Sequence, residues 1–258
     1  MQLAFDAGLA DSHGMTGVIL AIVGLALGGL LKGATGAGAP ILAVPIMAIY
    51  FNVPVAVAIF AVPNLLANVW QAWTYRKQQL PPRFMISFAG GGALGTFIGT
   101  VLLANLPGNT LTLVVALAVF VYVGFRLARP SWVLLYPLAE KLAPAAGTLG
   151  GILFGASGLS APVSLSFLNA MKLERVTFVA TVTVFFVTMG LVQIPMLFAY
   201  GILDGQRFLL SAAAILPIFA GMPVGAWLAR HISRDAFDKI ILAVLTLIAV
   251  RLFVQAIG

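Results

Sequence analysis

The sequence predicts an all-α polytopic membrane protein of two inverted repeats. Each repeat is a Gly-rich re-entrant helical hairpin (a broken helix) followed by three transmembrane helices. Three observations predict it: composition, an internal duplication, and the placement of the cations. Of 258 residues, 62% are hydrophobic and 8% charged. A soluble domain carries about 25% charged residues, and one this size could not cover its surface with so few. Mean hydropathy is +1.10, so most of the chain faces lipid or other helices.

The duplication sits between residues 28–40, GGLLKGATGAGAP, and 150–162, GGILFGASGLSAP. At an offset of 122, eight of thirteen positions are identical: Gly28, Gly29, Leu31, Gly33, Ala34, Gly36, Ala39 and Pro40 recur as Gly150, Gly151, Leu153, Gly155, Ala156, Gly158, Ala161 and Pro162. Gln71 recurs as Gln193. After a small gap Gly95 and Gly99 recur as Gly221 and Gly225, and Arg126-Leu127 as Arg251-Leu252. An ordered series over the whole chain argues for a duplicated unit.

The elements follow in order. The first repeat, 1–129, holds hairpin 16–50 and spans 54–74, 84–104 and 109–128. A linker, 130–144, leads to the second repeat, 145–258, with hairpin 145–171 and spans 175–199, 208–229 and 238–256. A crossing helix needs about 20 apolar residues, which the six spans supply without interruption. Segment 16–50 is long for one helix, and segment 145–171 is split at 155–162 into two pieces too short to cross.

Charge selects the topology. Eleven of the 14 cations lie in four places: Arg76, Lys77 and Arg83; Arg126, Arg129 and Lys141; Lys172 and Arg175; Arg230, Arg234 and Lys239. Eight simple spans would export at least one of these clusters, against the positive-inside tendency. If each interrupted segment dips in and returns, all four basic loops are cytoplasmic and the N-terminus is outside. Only Arg207 and Arg251 then fall on the outer side. The halves have three crossings each and run in opposite directions, an architecture of secondary transporters. Backbone that breaks at membrane depth must be buried in protein or line a watery cavity.

The hairpin tips are therefore the candidate site. They read GATGAGAP (33–40) and GASGLSAP (155–162). Gly33, Gly36, Gly38, Gly155 and Gly158 permit close backbone approach and positive φ. Pro40 and Pro162 suit the first turn of a second half-helix, whose free N–H groups favour an anion. Thr35, Ser157 and Ser160 add hydroxyls. Gly91, Gly95 and Gly99, and Gly221 and Gly225, lie in continuous spans and read instead as close helix packing.

Asn64, Asn68 and Gln71 share one face of span 54–74 and turn inward, because three amides are costly against lipid. Thr181 and Thr188 share a face of span 175–199. Packing and ligand contact are both open for these residues. Lys32 is the one cation trapped inside a hairpin; it reads either as a partner for an anion or as a lysine snorkelling to the cytoplasmic interface. The second repeat has Phe154 at that place.

The absences narrow the function class. All seven acids, Asp6, Asp11, Glu140, Glu174, Asp204, Asp235 and Asp238, lie in loops or termini, which disfavours cation transport and a carboxylate proton relay. There is no cysteine, and His13 and His231 lie outside the apolar runs, so no metal site or cofactor is expected. No nucleotide-binding or hydrolase motif is present, and no enzymatic activity is expected. The net charge of +7 reads as topology rather than nucleic-acid binding. The N-terminus lacks the basic start of a signal peptide. Trp70, Trp73 and Trp132 at span ends read as interface anchors.

The tip GGLLKGATGAGAPIL, its echo GGILFGASGLSAPVSL and the Pro63-Asn64 step resemble the TauE/SafE family of sulfite exporters and toluenesulfonate uptake permeases. The resemblance covers essentially the whole chain. It implies a carrier of sulfur-containing or simple carboxylate anions in the bacterial inner membrane. The second tip lacks a basic residue, a departure from a fully charge-paired dianion site.

Taken together, the expectation is a secondary carrier, working as an exporter, for sulfite, organosulfonates or related anions by alternating access between the two repeats. Backbone amides, Thr35, Ser157 and Ser160 would bind the anionic head, Asn64, Asn68 and Thr181 would complete the site, and Lys32 would supply the counter-charge. The alternatives are an anion-selective channel and a carboxylate carrier. The expected partners are a small anion, the lipid bilayer and a coupled proton or exchanged anion, with a homodimer left open.

Overall fold

The computed structural model describes residues 13–128, 133–231 and 233–258. The predicted outward N-terminus with Asp6 and Asp11, Arg129 at the end of the first repeat, and Trp132 of the linker lie outside the described residues. The described residues form eleven helices and no strand. In order they are α1 His13–Thr35, α2 Ala39–Tyr50, α3 Val53–Thr74, α4 Pro82–Asn105, α5 Gly108–Ala128, α6 Tyr136–Ser157, α7 Ser164–Ala170, α8 Arg175–Ala199, α9 Gly205–Ala213, α10 Ile215–His231 and α11 Arg234–Ile257. Seven stretches among them are long and apolar enough to cross a bilayer: Met15–Thr35, Val53–Thr74, Pro82–Asn105, Gly108–Ala128, Arg175–Ala199, Gly205–His231 and Lys239–Ile257.

Local chemistry sets the starts. Asn52 caps α3 by accepting from the Val55 N–H at 2.9 Å, with a proline in the first turn. Asp204 caps α9 by accepting from the Arg207 N–H at 2.8 Å, and Ser233 caps α11. Such caps satisfy N–H groups that have no partner inside their own helix.

Three predicted boundaries differ. The second hairpin does not divide into two short pieces. Its first arm, α6, starts at Tyr136 inside the predicted linker and has 22 residues, about 33 Å at 1.5 Å per residue. Glu140 and Lys141 dilute the apolar signal of its first turns, while a proline at its start suits helix initiation. Its return arm, α7, has only seven residues. Pro162 lies in the turn 161–163 before α7 rather than in its first turn. Span 208–229 is interrupted: α9 ends at Ala213 and α10 begins at Ile215. Pro217 has no N–H to give to the carbonyl four residues back, which falls at that junction.

Pro63 makes the same kind of gap inside α3, at the carbonyl of Ile59. Here Ser211 of α9 fills it. Its Oγ donates to the Ile59 carbonyl at 2.8 Å and accepts from the Val62 N–H at 3.2 Å. One buried hydroxyl thus ties α9 to α3 and completes a broken ladder.

The long arm of each hairpin packs on a helix from the other half of the sequence. A methyl placed on Gly29 or Gly33 of α1 would overlap the carbonyl oxygen of Ile218 or Met222 on α10. One on Gly221 or Gly225 would overlap that of Ala26 or Leu30. In the other seam, Gly151 and Gly155 of α6 face the carbonyls of Gly92 and Thr96 on α4, and Gly95 and Gly99 face those of Thr148 and Ile152. In both seams the paired residue numbers rise together, so the helices run parallel. The seams also interchange: Gly29 and Gly33 become Gly151 and Gly155 at the offset of 122, and their partners Ile218 and Met222 correspond to Gly92 and Thr96 after the four-residue gap. The packing expected for Gly95, Gly99, Gly221 and Gly225 is therefore observed, and it extends to Gly33 and Gly155 of the tips.

Phe rings fill the space behind the second hairpin. Phe88 of α4 stacks on Phe185 of α8 with centroids 4.2 Å apart, and Phe167 of α7 stacks on Phe84 and Phe88. The short arm α7 is held through this stack.

The seams give a test. Gly33→Leu should abolish recovery of monodisperse protein from membranes, because it drives a side chain into the Met222 backbone. Gly90→Ala, where the added methyl meets open space, should leave the unfolding midpoint in detergent unchanged or raised, by up to about 1 kcal/mol of stability.

Candidate anion site

The first tip is made by two glycines. α1 ends at Thr35; Gly36 and Gly38 follow at φ 85° and 94°. A side chain is strained at such φ. Gly36 has a second constraint, since its Cα lies against Val179 of α8. The Gly36 N–H donates to the Lys32 carbonyl at 2.7 Å. Pro40 occupies the first turn of α2, as expected.

The second tip repeats part of this. Gly158, at φ 72°, closes α6 by donating its N–H to Phe154 at 2.7 Å. Its Cα faces Val44 of α2 and Val57 of α3. Val57 and Val179 are equivalent at the offset of 122, so each tip rests on the matching valine of the other half.

The tip hydroxyls are turned to their own backbone. Thr35 Oγ1 donates to the Leu31 carbonyl at 2.8 Å, and Ser157 Oγ to the Leu153 carbonyl at 2.6 Å. Ser164 Oγ donates to Ser160, with its carbonyl and hydroxyl oxygens both 2.9 Å away. Such bonds shape the turn and compete with ligand contact. No hydrogen bond among the described residues joins Thr35, Ser157, Ser160 or Thr181 to Lys32. Thr181 Oγ1 is fully buried and has no hydrogen-bond partner among the described residues.

Lys32 is a buried cation. It is 2% exposed, so it does not snorkel. Its Nζ donates to Asn68 Oδ1 at 2.8 Å. Asn68 Nδ2 in turn donates to the Asn64 carbonyl at 2.7 Å and to Asn64 Oδ1 at 2.9 Å. The inward amide face predicted for α3 is present, with Asn64, Asn68 and Gln71 all buried. Among the described residues no carboxylate pairs with Lys32. The partner that Asn68 offers this Nζ is a neutral amide, and charge interactions are strengthened in a low-dielectric interior.

The second half has replaced this chain. The residue equivalent to Lys32 is Phe154, that equivalent to Asn64 is Phe186, and that equivalent to Asn68 is Gly190. Phe154 and Phe186 meet edge to face with centroids 5.8 Å apart, and Gly190 faces Leu65. Gln193 lends its amide to the carbonyls of Phe154 and Gly155, each at 3.4 Å.

Residues 20–252 match the protein family described as Sulfite exporter TauE/SafE. The chain belongs to the TauE/SafE family. The match covers nearly the whole chain, and with seven span-length helices this TauE/SafE protein is a multi-pass membrane protein of a transporter family. No curated protein and no solved structure gives a match.

One contact of this TauE/SafE chain was not legible in its sequence. Arg175, at the start of α8, donates from Nη2 to the carbonyl of Ala34 at 3.2 Å, across 141 residues. It meets the C-terminal end of α1, where a helix favours a cation. In the sequence Arg175 carries only a topology signal.

The Lys32–Asn68 contact is testable without transport. Asn68→Leu should lower stability by about 1–3 kcal/mol, because it leaves a buried donor unsatisfied. Lys32→Met combined with Asn68→Leu should recover most of that loss, as contacting residues couple. Thermal unfolding of the purified variants in detergent reads both.

Proposed function

We propose that the protein is a secondary transporter of small anions, with sulfite, organosulfonates and related sulfur-containing anions as the substrate class. The observation that carries this is the buried Lys32, held by Asn68 in an interior whose described helices offer it no carboxylate. An anion entering that space gains a charge-assisted hydrogen bond from Nζ and compensates a buried charge. The amides of Asn64 and Asn68 complete its surroundings. Sulfur oxyanions suit a site with few fixed donors, because their charge is spread over several equivalent oxygens. Membership of a sulfite exporter family supports the same class and export as the direction.

Alternating access is the mechanism we favour. The interchange of the two glycine seams supports an inverted-repeat, re-entrant arrangement. It also alters the choice of moving parts. Backbone-to-backbone packing joins α1 to α10 and α6 to α4, so neither repeat can rock as an intact unit without opening a seam. The moving bodies are then mixed: α1, α2 and α3 with α9 and α10 on one side, and α6, α7 and α8 with α4 on the other. Ser211 bonded to Ile59 and Phe88 stacked on Phe185 bind each body internally.

Orientation follows from charge. Arg126, Lys172 and Arg175 line one cavity together with Ala229 and Ile241. Three of the four basic segments thus gather at one end, which supports placing that end in the cytoplasm of a bacterial inner membrane.

The experiment is flux into proteoliposomes of labelled sulfite, a sulfonate and a matched carboxylate. We expect saturable uptake of the sulfur anions, stimulated by anion on the opposite side. Asn68→Asp places a carboxylate on Lys32 and should cut flux at least tenfold while the protein remains folded. Undiminished flux in Asn68→Asp, or non-saturating conductance in the wild type, would contradict the proposal.

A further inference from the structure

One cavity beside the first tip does not take in Lys32. It measures about 620 Å³. Thr35 and Gly38 of the tip form part of its floor, while the Lys32 side chain is turned away to Asn68. Two kinds of residue line the rest. Among the described residues that line it, Arg126, Lys172 and Arg175 are cationic, and Leu165, Ile241 and Leu242 bring apolar surface.

Two features mark the cations of this lining. Lys172 sits at φ 51°, the one non-glycine residue with positive φ among those described. That conformation is disfavoured for a long side chain, and it places the cation at the turn between α7 and α8. Arg175 is already engaged, through its bond to the Ala34 carbonyl at the end of α1.

We propose that this cavity is a second ligand subsite, a vestibule that takes an anionic head carried on an apolar body, and that Arg175 is its clasp. The head sits between Lys172 and Arg175, and the apolar body lies along Leu165, Ile241 and Leu242. An anion accepts a stronger hydrogen bond from a guanidinium than a peptide carbonyl does. Binding therefore draws Arg175 off Ala34 and frees the first tip. Loading of the vestibule and release of the tip are one event. The inference deepens the transporter reading and rests on it for the route beyond the tip; binding in the vestibule can be read without any flux.

The ligand has two possible sources with the same chemistry, a soluble amphipathic anion and an anionic lipid. The test is equilibrium binding of labelled ethane-, butane- and octanesulfonate to the full-length protein in phosphatidylcholine nanodiscs, with empty discs subtracted. The dissociation constant should fall roughly twofold to fourfold per added methylene, the upper figure matching full burial. Lys172→Gln should weaken octanesulfonate binding at least threefold, and Lys172→Gln with Arg175→Gln at least tenfold. Ile241→Ala with Leu242→Ala should flatten the chain-length dependence. Binding that ignores chain length, or that survives unchanged in Lys172→Gln, overturns the proposal. Repeating the assay with phosphatidylglycerol in the discs separates the sources: displacement of octanesulfonate identifies the lipid, and unaltered binding the soluble anion. Binding as expected without flux in proteoliposomes would remove the transporter reading and keep the subsite.

Discussion

Two helix pairs are packed so closely that a single methyl group cannot be added at their contact points. At Gly29 and Gly33, and at Gly151 and Gly155, the facing atoms are carbonyl oxygens of α10 and α4. Without hydrophobic association between helices in lipid, such close packing is a main source of cohesion. The consequences run outward from there. The long arm of each hairpin is fixed by a helix from the other half. Each chain break is then packed against protein, Gly36 on Val179 and Gly158 on Val44 and Val57. Lys32 follows from the same placement. It lies one position before Gly33, so the seam that fixes Gly33 against Met222 also fixes where the ammonium can reach.

Duplicated backbone carries divergent chemistry. The tips share left-handed glycines, at Gly36 and Gly158, and share valine supports, at Val179 and Val57. The positions behind them differ completely. Lys32, Asn64 and Asn68 form a hydrogen-bonded chain, where Phe154, Phe186 and Gly190 form an aromatic contact beside a small residue. A charge on both sides would place two ammonium groups in one low-dielectric interior. With Phe154 and Phe186 at the equivalent positions, the second half buries an aromatic contact there that needs no polar partner.

Much of the fold was legible in the sequence because membrane helices leave strong signals. Apolar length gave the spans, and paired glycines ending in Ala-Pro marked where helices break. The amide face of α3 was visible from the spacing of Asn64, Asn68 and Gln71. Other features depend on partners that a single helix face does not name. Gly95 and Gly99 announce close packing, but nothing in the sequence says that Thr148 and Ile152 receive them. The extension of α6 back to Tyr136 was hidden by Glu140 and Lys141. The break at Ala214 was hidden by continuous hydrophobicity. Thr35 and Ser157 read as ligand donors, yet each hydroxyl has a carbonyl four residues back within reach, the commonest local solution for such side chains. Arg175 and Ser211 act across long sequence separations, on Ala34 and Ile59, and no local pattern reveals that.

The account turns on Lys32 as the one cation that the apolar pattern traps inside a hairpin. Its most direct test is the flux of labelled sulfite through Lys32→Gln reconstituted in proteoliposomes beside the wild type, with matched protein content and unfolding midpoints. A neutral side chain that can still reach Asn68 should leave the fold intact and lower flux at low sulfite by at least tenfold. Equal flux in Lys32→Gln and wild type would contradict the account, and would move the anion's contacts to the tips themselves.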